Sequence, residues 1–414
     1  MVHLVRPLAL CVAGAALALA ACSDPTRPPS ALPSFAESPP PTAPAVFARY
    51  VALGTSNSMG VQSAGIFAAG QQAAWPAQLA ARVTGVSFAL PLVQDPGCNP
   101  PLVAPLVTDV ALIAAFGAAS AGSGLVERVM TTCAPLQDSI TLPTNNVAIS
   151  GANVHDALFN TTDSAMAQSP RVGTLYSRVL APGETQVTAM LAQHPTFVSV
   201  ELAANEVLPA SRGDVSAMTP YAEWERDYDS VLTAVRSTGA RAVLVGLPND
   251  AANFPSIRSA REFFDQWPEL LRIGIVVSPA CASSSNYLFI PGYLLTLLSH
   301  APAIATCADV PGTADNVLTP DDVRVINSRM AEMNAHMQAK ANESGYAYFA
   351  LGAVYDLPKP AFSVHDLFFS ETPFGPNISL DGVHPSTLGQ TILADSAAQA
   401  IDARYGLGIP TVVP

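Results

Sequence analysis

The chain has 414 residues, 50% hydrophobic and only 12% charged, with 37 Pro, 26 Gly, a formal charge of −13 and a mean hydropathy of +0.31. Soluble domains typically carry about 25% charged residues, so a disordered polyelectrolyte and a solvated coiled coil are excluded. An acidic chain without a Lys/Arg cluster neutralises phosphates poorly, so no nucleic-acid partner is expected.

The length allows two domains, or one α/β domain with insertions, and the hydropathy raises the question of a membrane. Met1–Arg6 is a short basic start, and Leu8–Ala20 is an apolar run of small residues, too short to span a bilayer comfortably. It ends Leu19-Ala20-Ala21-Cys22, which resembles a bacterial lipobox. There a signal peptide is cut before a cysteine whose thiol carries a diacylglyceryl group. An ordinary secretory signal is the alternative. From Pro25 to Pro44 the chain holds eight prolines and no apolar periodicity, so it reads as an extended tether. The expected order is a signal peptide over 1–21, then lipidated Cys22 and its tether over 22–45. Ser23 after Cys22 hints at the outer membrane, again by resemblance. Val110–Val126, the next most apolar stretch, lies between Asp109 and Glu127, is rich in Gly, Ala and Ser, and reads as buried protein.

Cys11 falls in the signal and Cys22 in the lipobox, leaving Cys98, Cys133, Cys281 and Cys307. An even number in an exported chain suggests disulfides. Of the three connectivities, Cys98–Cys133 and Cys281–Cys307 are expected because each closes a local loop. No C-x-x-C or His spacing points to zinc, so neither metal nor cofactor is expected.

Beyond the tether, Tyr50–Leu53, Val147–Ile149, Phe197–Leu202, Ala242–Val245 and Ala347–Leu351 have strand length and composition. A helix opens at Thr219-Pro220 with Tyr221, Trp224, Tyr228, Val231 and Val235 on one face. Another starts at Thr319-Pro320-Asp321-Asp322, carries Val323, Ile326, Met330, Met333 and Met337 as a core stripe, and closes at Gly345. The last is expected from Pro385 to about Tyr405, stopping at Gly406. Such alternation predicts a parallel sheet covered on both faces, with functional loops at the carboxyl ends of its strands.

The residues directly after those strands are chemically suggestive. Gly54-Thr55-Ser56-Asn57-Ser58 puts a serine on a tight turn opening a helix, though serine also commonly caps helices. Ser150-Gly151 allows a backbone N–H to approach a ligand, or is a simple turn. Asn205 can donate its amide into a site or cap the next helix. In Leu380-Asp381-Gly382-Val383-His384-Pro385, an Asp three residues before a His can fix its tautomer. His155-Asp156 and His365-Asp366 are rivals, but adjacent side chains usually point apart.

Together, in this order, these blocks resemble the SGNH, or GDSL, family of esterases and lipases. The family's G-D-S-[LN]-[ST] block falls on Gly54–Ser58, the glycine of its second block on Gly151, its G-x-N-D asparagine on Asn205 and its D-x-x-H on Asp381 and His384. Gly246-Leu247-Pro248-Asn249-Asp250 through Pro255 is similar to a further family segment, so the likeness spans roughly 47–405. The resemblance implies a three-layer α/β/α, flavodoxin-like hydrolase fold with a central parallel five-stranded sheet. It also implies Ser56, His384 and Asp381 as catalytic residues, and Ser56, Gly151 and Asn205 as the oxyanion hole.

Thr55 stands where the family has Asp, which loses a carboxylate near the turn, and Glu206 follows Asn205 in place of Asp. The hydrolase domain is expected over 46–406, with insertions at about 66–146 and 256–318 and a tail over 407–414. The cysteine-bracketed insertions either add packing or form an apolar rim that accepts acyl chains or touches lipid. The expected substrate is a small-molecule or lipid ester, and membrane contact is expected through the anchor. A polysaccharide O-acetylesterase and a catalytically silent binding lipoprotein are the competing readings.

Overall fold

The structure, a computed structural model, describes residues 42–106 and 133–412. The signal, Cys22, most of the tether and Val110–Val126 lie outside them. Along β1 (Tyr50–Gly54), alternation sends Val51 and Leu53 into one core and Tyr50 and Ala52 into another, so both sheet faces are buried. The remaining strands are β2 (Phe197–Glu201), β3 (Arg241–Gly246), β4 (Ile257–Ser259), β5 (Ile275–Val277), β6 (Tyr287–Phe289), β7 (Ala303–Ala305), β8 (Val317–Leu318) and β9 (Ala347–Ala350).

The central sheet runs β1-β2-β3-β9, all parallel, with Gly54 opposite Glu201 and Gly246 opposite Ala350. It therefore has four full strands among the described residues, not the expected five. Val147–Ile149 lies beside β1, with Val147 N–H donating to Ala52 O at 2.9 Å and Ile149 N–H to Gly54 O at 3.1 Å. Only one bridge, Ala52 with Asn146, is regular. Gln186 Nε2 donates to Val147 O, the acceptor that the next ladder bond would use, and Ile149 O instead accepts from Ala152 N–H at 3.2 Å. A continuous ladder cannot form where other donors take its acceptors.

Helices cover both faces in three layers. On one side, Trp224, Tyr228, Val231 and Val235 of helix Tyr221–Ser237 pack with the Val323-to-Met337 stripe of helix Pro320–Ser344. On the other, Trp75 and Leu79 join Leu393, Ala397 and Ile401 of helix Thr387–Tyr405. The long helix is bounded as expected, by a Thr319–Asp322 capping box and by Gly345 at φ 71°. The last helix starts two residues later than expected. Ser386 is its N-cap, because a bridge from Pro385 to Ile378 holds Pro385 in the preceding loop.

Both expected disulfides are formed, Cys98–Cys133 and Cys281–Cys307. The second insertion builds an antiparallel sheet in the order β4-β6-β8 and a parallel β5-β7 pair, then packs Leu294 and Leu295 inward. Among the described residues, no helix is long and apolar enough to cross a membrane.

Candidate active site

Ser56 opens the one-turn helix Ser56–Met59 directly after β1 and is 9% exposed. The turn is held by Glu201, the buried last residue of β2. Its carboxylate accepts from Thr55 N–H at 3.0 Å, Thr55 Oγ1 at 2.8 Å, Ser58 N–H at 3.2 Å and Ser58 Oγ at 3.0 Å. The carboxylate expected to be lost at Thr55 is thus delivered from the neighbouring strand. Burial pushes the Glu201 carboxyl above its ordinary range, against the pull of the Thr55 and Ser58 donors. Gly54 makes room for this contact, since a Cβ there would lie 2.6 Å from Ser58 Oγ and 3.2 Å from Glu201 Oε2.

His384 Nδ1 lies 2.8 Å from Asp381 Oδ2. Asp381 also accepts from the N–H groups of Val383 and His384, each at 2.8 Å, and from Ala64 N–H. Burial alone would raise the Asp381 carboxyl; the His384 imidazole and these donors outweigh it and hold it below the usual range. The imidazole therefore presents Nε2 away from the carboxylate. Tyr355 Oη bridges this loop and the serine turn, lying 2.7 Å from Val383 O and 3.4 Å from Asn57 Oδ1; Gln390 Nε2 of the last helix donates to Asn57 O at 3.1 Å, and Ser63 N–H, just beyond the turn, donates to Ser379 Oγ at 2.8 Å.

Gly151 has φ +83°, a left-handed conformation that glycine adopts without strain, and open space where a Cβ would stand. Asn205 donates one amide hydrogen to Ala152 O at 2.7 Å and keeps a second. Next to it, buried Glu206 accepts from Val154 N–H at 2.6 Å through one oxygen, while the other oxygen has no partner. Two bonds therefore clasp the Gly151 segment against the Asn205 segment. Burial pushes the Glu206 carboxyl up to about 7.

Ser56, Asn205 and His384 line a narrow apolar cavity of about 60 Å³. A larger one, about 810 Å³, is bounded by Gly151, Asn205, Asp381 and His384, by Leu294 and Leu295 of the second insertion, and by Leu102 and Leu106 of the first. All five sequence-derived chemical residues thus converge on one pair of cavities. The rivals do not: His155 pairs with Asp227 at 2.9 Å, not with Asp156, and His365 contacts Asp366 on the surface. His155, Glu223 and Asp227 bring potential ligand atoms within 4.8 Å of one another, but none lines either cavity. Sequence reasoning missed Glu201, Tyr355 and Gln390. For Glu201 a signal existed, an acid closing an otherwise apolar strand.

Parallel strands, a serine turn at the carboxyl end of β1 and an Asp–His pair beside it define an α/β protein of hydrolase type. The GDSL-like lipase/acylhydrolase family model matches residues 50–397, and the chain belongs to this family of ester hydrolases. No curated protein sequence matches. Among solved structures, an extracellular lipase from Streptomyces rimosus is 14% identical, with 86% of this chain and 98% of that one covered and a TM-score of 0.36. TesA is 12% identical over the same shares, with a TM-score of 0.32. A variant of the acetyl xylan esterase Axe2 from Geobacillus stearothermophilus is 12% identical over 88% and 96%, with a TM-score of 0.33.

Proposed function

We propose that this ester hydrolase uses Ser56 as nucleophile, His384 as general base and Asp381 as the group that orients the imidazole. The observation that carries this reading is the 2.8 Å contact of Asp381 with His384 Nδ1, which leaves Nε2 unengaged by Asp381 on a His384 that lines the same cavity as Ser56. His384 takes the Ser56 proton as Oγ attacks the ester carbonyl, and returns it to the leaving alcohol. Water then repeats the sequence on the acyl-enzyme and releases the acid. The backbone N–H groups of Ser56 and Gly151, with the free amide hydrogen of Asn205, receive the oxyanion.

The substrate is an ester with an apolar body, because leucines from both insertions wall the larger cavity. Of the three tryptophans a sugar platform could use, Trp75 and Trp224 are buried and the exposed Trp267 lines neither cavity, so a sugar platform at the site finds little support. The Thr55 and Glu206 departures are what a silent binder would build on, and Glu201 supplies the carboxylate that Thr55 lacks. The enzyme works outside the cytoplasm, held at the outer membrane through lipidated Cys22 and the tether beyond it. The test is labelling by a fluorophosphonate probe. Wild-type protein is labelled at Ser56, whereas Ser56→Ala takes no label and loses ester hydrolysis. Full activity in Ser56→Ala refutes the assignment.

A further inference from the structure

The two cavities that meet at Asn205 and His384 differ more than tenfold in volume, about 60 against 810 Å³. We propose that they divide the ester between them: the small cavity takes the acyl group and the large one the alcohol. The preferred substrate is then a short-chain acyl ester of a bulky, apolar alcohol. This deepens the serine-hydrolase reading and rests on it.

Which side takes which part depends on where the reacting atoms lie. When Ser56 Oγ bonds to the carbonyl carbon and the carbon–alcohol oxygen bond breaks, the acyl group is what stays on Ser56. It must occupy space that Ser56 bounds, and Ser56 lines the small cavity but not the large one. The alcohol departs on the other side, with its oxygen taking the proton from His384. His384 lines both cavities, and its partner Asp381 lines only the large one. Hydrolysis restores the proton to Ser56 and releases a short acid.

Size sets the limit on the acyl side. An apolar cavity of about 150 Å³ holds benzene, so one of about 60 Å³ suits an acyl group of roughly two to four carbons. Its wall includes Ala251, Ile326 and Met330, all buried, and the latter two lie on the helix that covers the sheet. Such a wall cannot yield without opening close-packed core. The large cavity has no such limit, and Leu294, Leu295 and Leu298 of helix Ile290–Ser299 give it a largely apolar wall that also includes Arg171 and Arg212.

The test compares two isomers with the ester bond reversed, decyl acetate and ethyl decanoate, on purified enzyme. Decyl acetate is expected to have the higher kcat/KM, by about 10- to 200-fold, the range that poor fit in an apolar pocket produces. Equal rates, or preference for ethyl decanoate, overturn the proposal. Met330→Ala is expected to raise the p-nitrophenyl hexanoate-to-acetate rate ratio, and Ala251→Val to lower the butyrate-to-acetate ratio. Ala251→Val guards against a Met330→Ala protein that fails to fold, and an unchanged ratio in a folded variant counts against the assignment. Fluorophosphonate labelling separates the two levels. Without labelling of wild type at Ser56 the hydrolase reading itself fails, whereas normal labelling with a long-acyl preference refutes only the division of the cavities.

Discussion

Asn205 shows how much one side chain is asked to do. One amide hydrogen fixes it to Ala152, and the other is free for developing negative charge. Asn205→Ala is expected to lower kcat by about 10²–10³ with a much smaller change in KM, read from steady-state kinetics. Its neighbour Glu206 has a different consequence. Its ordinary carboxyl value of 4.5 rises to about 7 in the fold, first through burial and then through Asp156 and Glu201 nearby, against the Val154 N–H that lowers it. Between these values the folded chain holds a proton that the unfolded chain has lost. This group's contribution therefore falls as pH rises through that window, by a few kcal/mol in all. The Tm of wild type relative to Glu206→Gln should accordingly drop between pH 5 and pH 8. A constant difference across that range shows that Glu206 does not titrate there.

At the level of elements, the serine turn is held mostly by a strand that is remote in sequence. Glu201 lies 146 residues from Thr55, yet the parallel register of β1 and β2 sets its carboxylate under the turn. In Glu201→Gln an amide group faces donors on Thr55 and Ser58, and an unsatisfied buried polar group costs about 1–3 kcal/mol. Chemical denaturation should show that loss, and kcat should fall with it. The second insertion is anchored in another way: Cys281–Cys307 closes 26 residues that include β6 and the leucine-bearing helix. Replacing both cysteines by Ala should cost about 3 kcal/mol by loop-closure entropy, measured as a lower denaturation midpoint. Strand and helix periodicities were legible locally. The irregular pairing of the edge segment Val147–Ile149 was not, because Gln186, distant in sequence, takes the Val147 carbonyl that a ladder would use.

For the molecule as a whole, the anchor and the hydrolase domain are separable predictions. Cys22→Ser is expected to move the protein from the membrane pellet to the soluble fraction. Its kcat/KM on a water-soluble ester should stay unchanged, since no described site residue precedes Ser56. Fractionation with an activity assay on each fraction checks both parts.

The sequence by itself determined what depends on local order. Periodicity assigned Met330 and Trp224 to the core, three-residue spacing paired Asp381 with His384, and loop length paired the cysteines. Only the tertiary structure decided what depends on distant segments meeting. It brought Glu201 to the serine turn, linked Gln390 and Tyr355 to the same loops, and made two unequal cavities from walls up to several hundred residues apart. A buried hydrogen bond or a cavity wall is specified by the sheet register and helix packing that put its partners within reach, and no linear spacing encodes either.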